Sequence, residues 1–188
     1  MIILGVILGL LGHFYKKGLF GLKKVYLKIT WLPRWLHGLI PLAILVPIMY
    51  YWPLITGPGN RLILSLPTML TKTGWALVGI LAFYYVMRIA FSIVSYDSGL
   101  PSGIFLPILT MGALVGAAYG MLMVQLGLMP AHLVINLVIF SMAGYFAAII
   151  RAPFTAIILI TEMVGSLLHL MPLAVVAFIA LLVDQVLG

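Results

Sequence analysis

Ser98-Gly-Leu-Pro-Ser-Gly-Ile-Phe-Leu-Pro107 breaks what would otherwise be one long hydrophobic run. An apolar segment, residues 74–96, leads into it, and another, residues 108–128, leads out of it. Hydrocarbon offers no water to an unpaired backbone N–H or C=O, so irregular backbone at membrane depth survives only where protein buries it or a polar cavity meets it. Two prolines and two glycines within these ten residues therefore point to a site. The chain after the break restarts a helix, and the free N–H groups at a helix start attract anions. Interrupted helices whose N-termini face an anion are a transporter device.

The surrounding composition says that the break lies in a membrane. Of 188 residues, 65% are hydrophobic and 7% charged, with a mean hydropathy of +1.29. A soluble domain of this size needs far more surface charge. With about 20 apolar residues per crossing, the length holds roughly six to eight helices, some of them short. The net charge is +7, and six of the ten basic residues fall between Lys16 and Arg34. That clustering, interleaved with Phe14, Tyr15, Phe20, Tyr26, Trp31 and Trp35, reads as an interfacial belt on the cytoplasmic side rather than a nucleic-acid surface. Cysteine is absent, which removes disulfides and thiolate metal sites. The first eleven residues are apolar, with no basic run ahead of them and no small-residue cleavage site, so no signal peptide is expected.

Residues 1–15 form an apolar helix that is short for a span and is expected to run on towards Leu22 or to begin within a longer helix. Gly5 and Gly9 give it a face for close packing. Residues 36–54 are a second span, kinked at Pro41, Pro47 and Pro53. Thr56-Gly-Pro-Gly-Asn-Arg61 is a turn, and residues 62–69 make a half-helix. Residues 72–96 are a long span that carries Arg88, whose readings are a functional charge or a side chain that snorkels or pairs within the bundle. Asp97 ends it, placed to cap the following turn. Residues 108–128 are rich in small residues, Gly112 and Gly116 among them, and are expected to lie among other helices rather than against lipid. Met129-Pro130 ends that helix, residues 131–150 form the next, and Arg151-Ala-Pro153 interrupts again. Residues 154–164 are too short to cross a bilayer. Residues 165–171 turn, and residues 172–187 are the last helix, with Asp184 near its end.

No catalytic constellation is present. The chain has three acidic residues, far apart, and lacks the common nucleophile-elbow, zinc and phosphate-loop patterns. Ser141 and His132 stand nine apart without a supporting motif. His13 and His37 have no second ligand at helical spacing, so no metal is expected. The break is different. Gly103 permits a sharp backbone path, and Pro107 suits a first helical turn, where its missing N–H is no loss. The N–H groups of Ile104, Phe105 and Leu106 would then lack helical partners. They could hold a halide with no cationic side chain, which favours release as well as binding. The alternative is a helix-linking turn satisfied by neighbouring carbonyls, and spacing alone does not separate the two.

These residues resemble the Gly-x-Phe-x-Pro signature, with its preceding Ser-Gly-x-Pro-Gly stretch, of the CLC chloride channels and chloride/proton antiporters. Thr56-Gly-Pro-Gly-Asn60 is similar to the glycine-rich turn ahead of a short helix in that family. Residues 143–165, containing Arg151-Ala-Pro-Phe-Thr155 and Glu162-Met163, resemble its Arg-Ala-Pro-(Leu/Phe)-Thr segment. The three segments occur in the family's order. The resemblance implies an all-α integral membrane fold, a multi-helix bundle with interrupted and half-length helices, formed as the second of two inverted repeats. It implies that the backbone amides of Ile104 and Phe105 line a central anion site within the filter motif of Gly103, Leu106 and Pro107. It also implies a homodimer built on residues 154–164 and 172–187, with one pore per subunit.

The family's first half, with its Gly-Ser-Gly-x-Pro filter segment and its Gly-Arg-Glu-Gly-Pro gate, has no counterpart here. Glu162 does not match the gating glutamate, and the family's last helix, with its pore-lining tyrosine, is expected beyond Gly188. Ser102 stands where glycine is usual and Leu106 where alanine is common, which leaves backbone coordination intact. The expectation is a single transmembrane region, residues 1–188, that serves chloride transport as half of a channel or H+/Cl− exchanger in a prokaryotic inner membrane. Its partners are the bilayer, the missing N-terminal half and a second copy; it needs no cofactor beyond the transported chloride, contacts no nucleic acid and is not an enzyme. The alternative is a non-transporting membrane interaction module or degenerate paralogue.

Overall fold

In the computed structural model the described residues are 1–28, 42–43, 46–48, 50, 59–70, 74–97, 103 and 105–188. Seven α-helices occur among them: α1 (Ile2–Lys28), α2 (Asn60–Met69), α3 (Trp75–Asp97), α4 (Phe105–Gln125), α5 (Val134–Ile150), α6 (Pro153–Val164) and α7 (Leu170–Leu187). Five stretches, including parts of α1, α3, α4, α5 and α7, are long and apolar enough to cross a membrane. At 1.5 Å per residue, α2 and α6, of 10 and 12 residues, reach only about half of a roughly 30 Å hydrocarbon core. The expected span over residues 36–54 lies mostly outside the described residues.

The helix ends follow from local chemistry. Helix α1 is 27 residues, longer than the segment to Leu22 expected from its sequence, because the basic run contains no proline or glycine pair strong enough to end it. Helix α4 opens at Phe105, three residues before the apolar run suggested, since a proline in the first turn removes no helical bond. Arg151 closes α5 in the left-handed conformation (φ 59°, ψ 31°) and Pro153 opens α6, so the Arg-Ala-Pro segment is a C-cap followed at once by an N-terminal proline. The last helix begins at Leu170 rather than Pro172, after a short 3-10 turn over Leu167–His169.

Helices α4 and α5 form the centre. In each, 67% of the spanning stretch is buried, against 17% for α3, which places α3 at the edge of the bundle. The seam between α4 and α5 has almost no side chain in it. A Cβ at Gly112 would fall 2.8 Å from the Ser141 carbonyl oxygen, and one at Gly116 would fall 2.6 Å from that of Leu137. Small residues thus bring two backbones together, as membrane helices do when lipid removes the hydrophobic drive. Gly5 and Gly9 do the same for α1 against α7, meeting Ile179 and the Ala180 carbonyl. Helix α7 also packs on α5, so α1, α5 and α7 form a second layered group beside α3 and α4.

Candidate functional site

The first turn of α4 is held from several sides. Phe105 is half-buried, and its ring meets Phe146 of α5 edge-to-face with centroids 5.6 Å apart. Thr110 donates its hydroxyl to the Leu106 carbonyl at 2.7 Å. From Ile108 to Ala117 every residue of α4 is buried, so the start of the helix cannot tilt without disturbing the α4–α5 seam. The amides of Phe105 and Leu106 belong to the first turn and have no intrahelical acceptors, and Pro107 contributes none. Gly103 is exposed and a Cβ there would meet nothing. Ile104 lies outside the described residues, as do residues 98–102.

A second feature abuts this helix. Gly59 begins α2 in the left-handed region (φ 96°), and a side chain there would collide with Thr110 of α4 and with Arg88 of α3. Glycine is required on both counts, the backbone angle and the contact. Arg88 is only 5% exposed, so its guanidinium turns into the bundle rather than snorkelling. Counted along α4, Thr110 lies about 7.5 Å from Phe105.

The third feature was not anticipated. Asp184 of α7 is fully buried. One of its oxygens pairs with Lys16 of α1 and, at 3.2 Å, with Arg151 Nε at the end of α5. His13 Nδ1 lies 3.7 Å from the other oxygen. Lys16 also donates to the Ala148 carbonyl at 3.2 Å, where a cation suits a helix C-terminus. Lys16 therefore departs from the interfacial belt its sequence position suggested. Its side chain is 17% exposed and ties three helices together. Charged residues in apolar segments at positions 16, 151 and 184 were the available signal. Glu162 and His132 are exposed, while the Ser141 hydroxyl is buried and donates to the Leu137 carbonyl, so no hydrolytic pair forms from them. Among the described residues, no group of three metal-ligating side chains gathers.

Residues 1–185 match a family model described as voltage gated chloride channel. The chain is 35% identical over 145 residues to the H(+)/Cl(-) exchange transporter ClcA of Vibrio cholerae, an alignment covering 75% of this chain and 29% of that one. The corresponding transporter of Vibrio parahaemolyticus is 33% identical over the same length with the same coverage. The X-ray structure of a slow cyanobacterial Cl-/H+ antiporter matches with a TM-score of 0.83 and 27% identity, covering 100% of this chain and 43% of that one. The chain thus spans less than a third of the curated relatives it matches and less than half of the solved antiporter.

Proposed function

The chain belongs to the voltage-gated chloride channel family, and from that premise we propose that it serves chloride transport as the second half of a CLC-type transporter, with the anion held by the backbone amides of Ile104 and Phe105. It shares the antiporter's helical fold and is a multi-pass membrane protein. The observation that carries the reading is the start of α4. An apolar, proline-bearing break leads into a helix whose first turn is braced by Phe146 and Thr110 and whose next ten residues are buried. A rigid ring of amide dipoles can replace part of an anion's hydration shell without a full opposite charge, so the ion can still leave. Gly103, Leu106 and Pro107 complete the proposed filter turn. The relatives named as H(+)/Cl(-) exchangers support exchange rather than simple conduction.

We further propose a homodimer. Phe154 and Ile158 of α6 are 68% and 67% exposed, and Leu182 and Val186 of α7 are 57% and 86% exposed. These apolar side chains on the two adjacent helices suit a second copy. Bacterial relatives support the inner membrane as its place. The first half of the pore comes from the sequence that relatives carry beyond this region.

The test is chloride efflux from liposomes with external pH recorded, on residues 1–188 and then on a chain with upstream sequence restored. Flux only on restoration, with opposed proton movement, is the expected result. Selective flux from residues 1–188 would overturn the half-transporter reading, and silence in both would favour the non-transporting module. In the restored chain, Phe105→Pro deletes one amide at a position where a helix accepts proline. It should slow flux about tenfold, as expected for one charge-assisted hydrogen bond. Phe105→Leu keeps the amide and should stay near the parent rate.

A further inference from the structure

Outside the Asp184 cluster the bundle buries a further full charge, Arg88 of α3. It lies near the middle of the 22-residue span Trp75–Tyr96, the costliest depth for a cation. Where its side chain goes adds to that cost. One terminal nitrogen lies within 2.7 Å of the point that a Cβ on Gly59 would occupy, and the Thr110 hydroxyl crowds the same point. Gly59 is the N-cap residue of α2 and supplies no capping side chain. Thr110 donates to the Leu106 carbonyl in the first turn of α4. The guanidinium therefore stands beside the start of α2, with only Thr110 between it and the start of α4.

Helix starts carry the positive end of the backbone dipole, where anions are favoured and cations are not. A cation placed for stability alone belongs at the opposite end of a helix, as Lys16 does at the Ala148 carbonyl. Arg88 does the reverse. Its charge and the positive poles of α2 and α4 add to one field. A guanidinium that donates to carbonyl oxygens keeps its charge, so backbone acceptors can secure the side chain without cancelling that field. Arg88, Gly59 and Thr110 are all buried, and charges away from water act over longer distances than exposed ones. Like poles gathered in such a place favour a negative charge nearby, and the anion turn proposed above opens on the same start of α4.

We propose that Arg88 acts at a distance on that turn, its fixed charge raising chloride occupancy without touching the ion. The inference rests on reading the start of α4 as the chloride site. By the helical rise, the guanidinium stands roughly 10 Å from the Phe105 amide. Coulomb attraction over that distance, at an effective dielectric of about 20, corresponds to about a tenfold change in affinity. A cation in contact with the ion would hold it against release. A charge at this remove adds affinity and leaves the amides as the only ligands from this helix.

The test is calorimetric titration of chloride, bromide and nitrate into the full-length protein, with upstream sequence restored, in detergent. Arg88→Met, neutral and unbranched, should weaken chloride binding about tenfold. Arg88→Lys keeps the charge and loses the planar fork, and should stay within about twofold of the parent. The three anions should weaken by one common factor, because a field at this distance reads charge and not size. A residue that merely shapes the turn would behave otherwise: Lys and Met would fail alike, and the ratios between anions would shift with the geometry of the amides. Arg88→Gln, which retains donors, stands in where Met disturbs the fold. Unchanged chloride affinity in the neutral variants, or an equal loss in Arg88→Lys, overturns the proposal, as does failure of both neutral variants to fold. A parent that binds no chloride overturns the reading of α4 and this inference with it. A protein whose binding falls with Phe105→Pro but not with Arg88→Met overturns this inference alone.

Discussion

The start of α4 and the end of α7 handle charge in different ways. At the start of α4, the contacts are aromatic, hydroxyl and backbone, Phe105 on Phe146 and Thr110 on the Leu106 carbonyl, with the Arg88 guanidinium beyond Thr110 at Gly59. At the end of α7, a fully buried carboxylate gathers Lys16 and Arg151, with His13 beside it. Full charges in a low-dielectric setting interact strongly and fix their partners. Dipoles hold an ion less firmly and let it exchange. A passing anion needs the first arrangement, and the joint between three helices needs the second.

The comparison breaks if the charged knot is dispensable. Asp184→Ala leaves Lys16 and Arg151 without their shared counter-ion, and removing one partner of a buried ion pair costs about 3–5 kcal/mol. The measurement is unfolding in detergent, followed by helical signal. Asp184→Asn should lose less, since its amide oxygen still accepts. An Asp184→Ala protein as stable as the parent would show the knot to be a surface ornament. The seam offers the next largest effect. Gly116→Val would drive a side chain into the Leu137 carbonyl and Val138 backbone, and overpacking of this kind costs about 1–3 kcal/mol. It should also slow chloride flux in a restored full-length chain, because the proposed anion turn lies on the first residues of α4. Gly79, where a Cβ would meet nothing, is the control: Gly79→Ala should lower neither reading.

The same contrast explains what the sequence disclosed. Backbone devices leave local marks. The Arg-Ala-Pro interruption, the half-length α2 and α6, and the close-packing glycines of α1 and α4 were all legible, because each follows from the residue types at one place. The proposed filter turn rests on its motif, since Ile104 and residues 98–102 fall outside the described residues. The charged knot was not legible. Lys16 and Asp184 are 168 positions apart, and Arg151 and Asp184 are 33 apart. No periodicity links such residues; only the packing of α1 on α7 brings them together. Lys16 also stands at the head of a lysine run, where the belt reading absorbs it. The length of α1 was underestimated for the same reason, since its basic half continues the helix after its apolar pattern ends.

A third region, intermediate in polarity, refines the comparison. Tyr85 of α3 and Tyr145 of α5 set their hydroxyls 3.2 Å apart, and Tyr15 of α1 meets Ser92 of α3 at 2.6 Å. The rings of Tyr15 and Tyr85 both lie within about 6.4 Å of Tyr145, so neutral hydroxyls join α1, α3 and α5. A neutral hydrogen bond contributes about 1 kcal/mol net, which ranks this cluster below both the knot and the seam. Tyr145→Phe removes one partner and leaves the Tyr85 hydroxyl buried without it, so a loss of about 1 kcal/mol is expected. Tyr85→Phe in the same background removes the stranded hydroxyl too, and the double variant should recover part of the loss rather than double it. Additive losses would mean that each hydroxyl has an independent partner, and the tyrosines would then count as separate packing residues instead of a joint between helices.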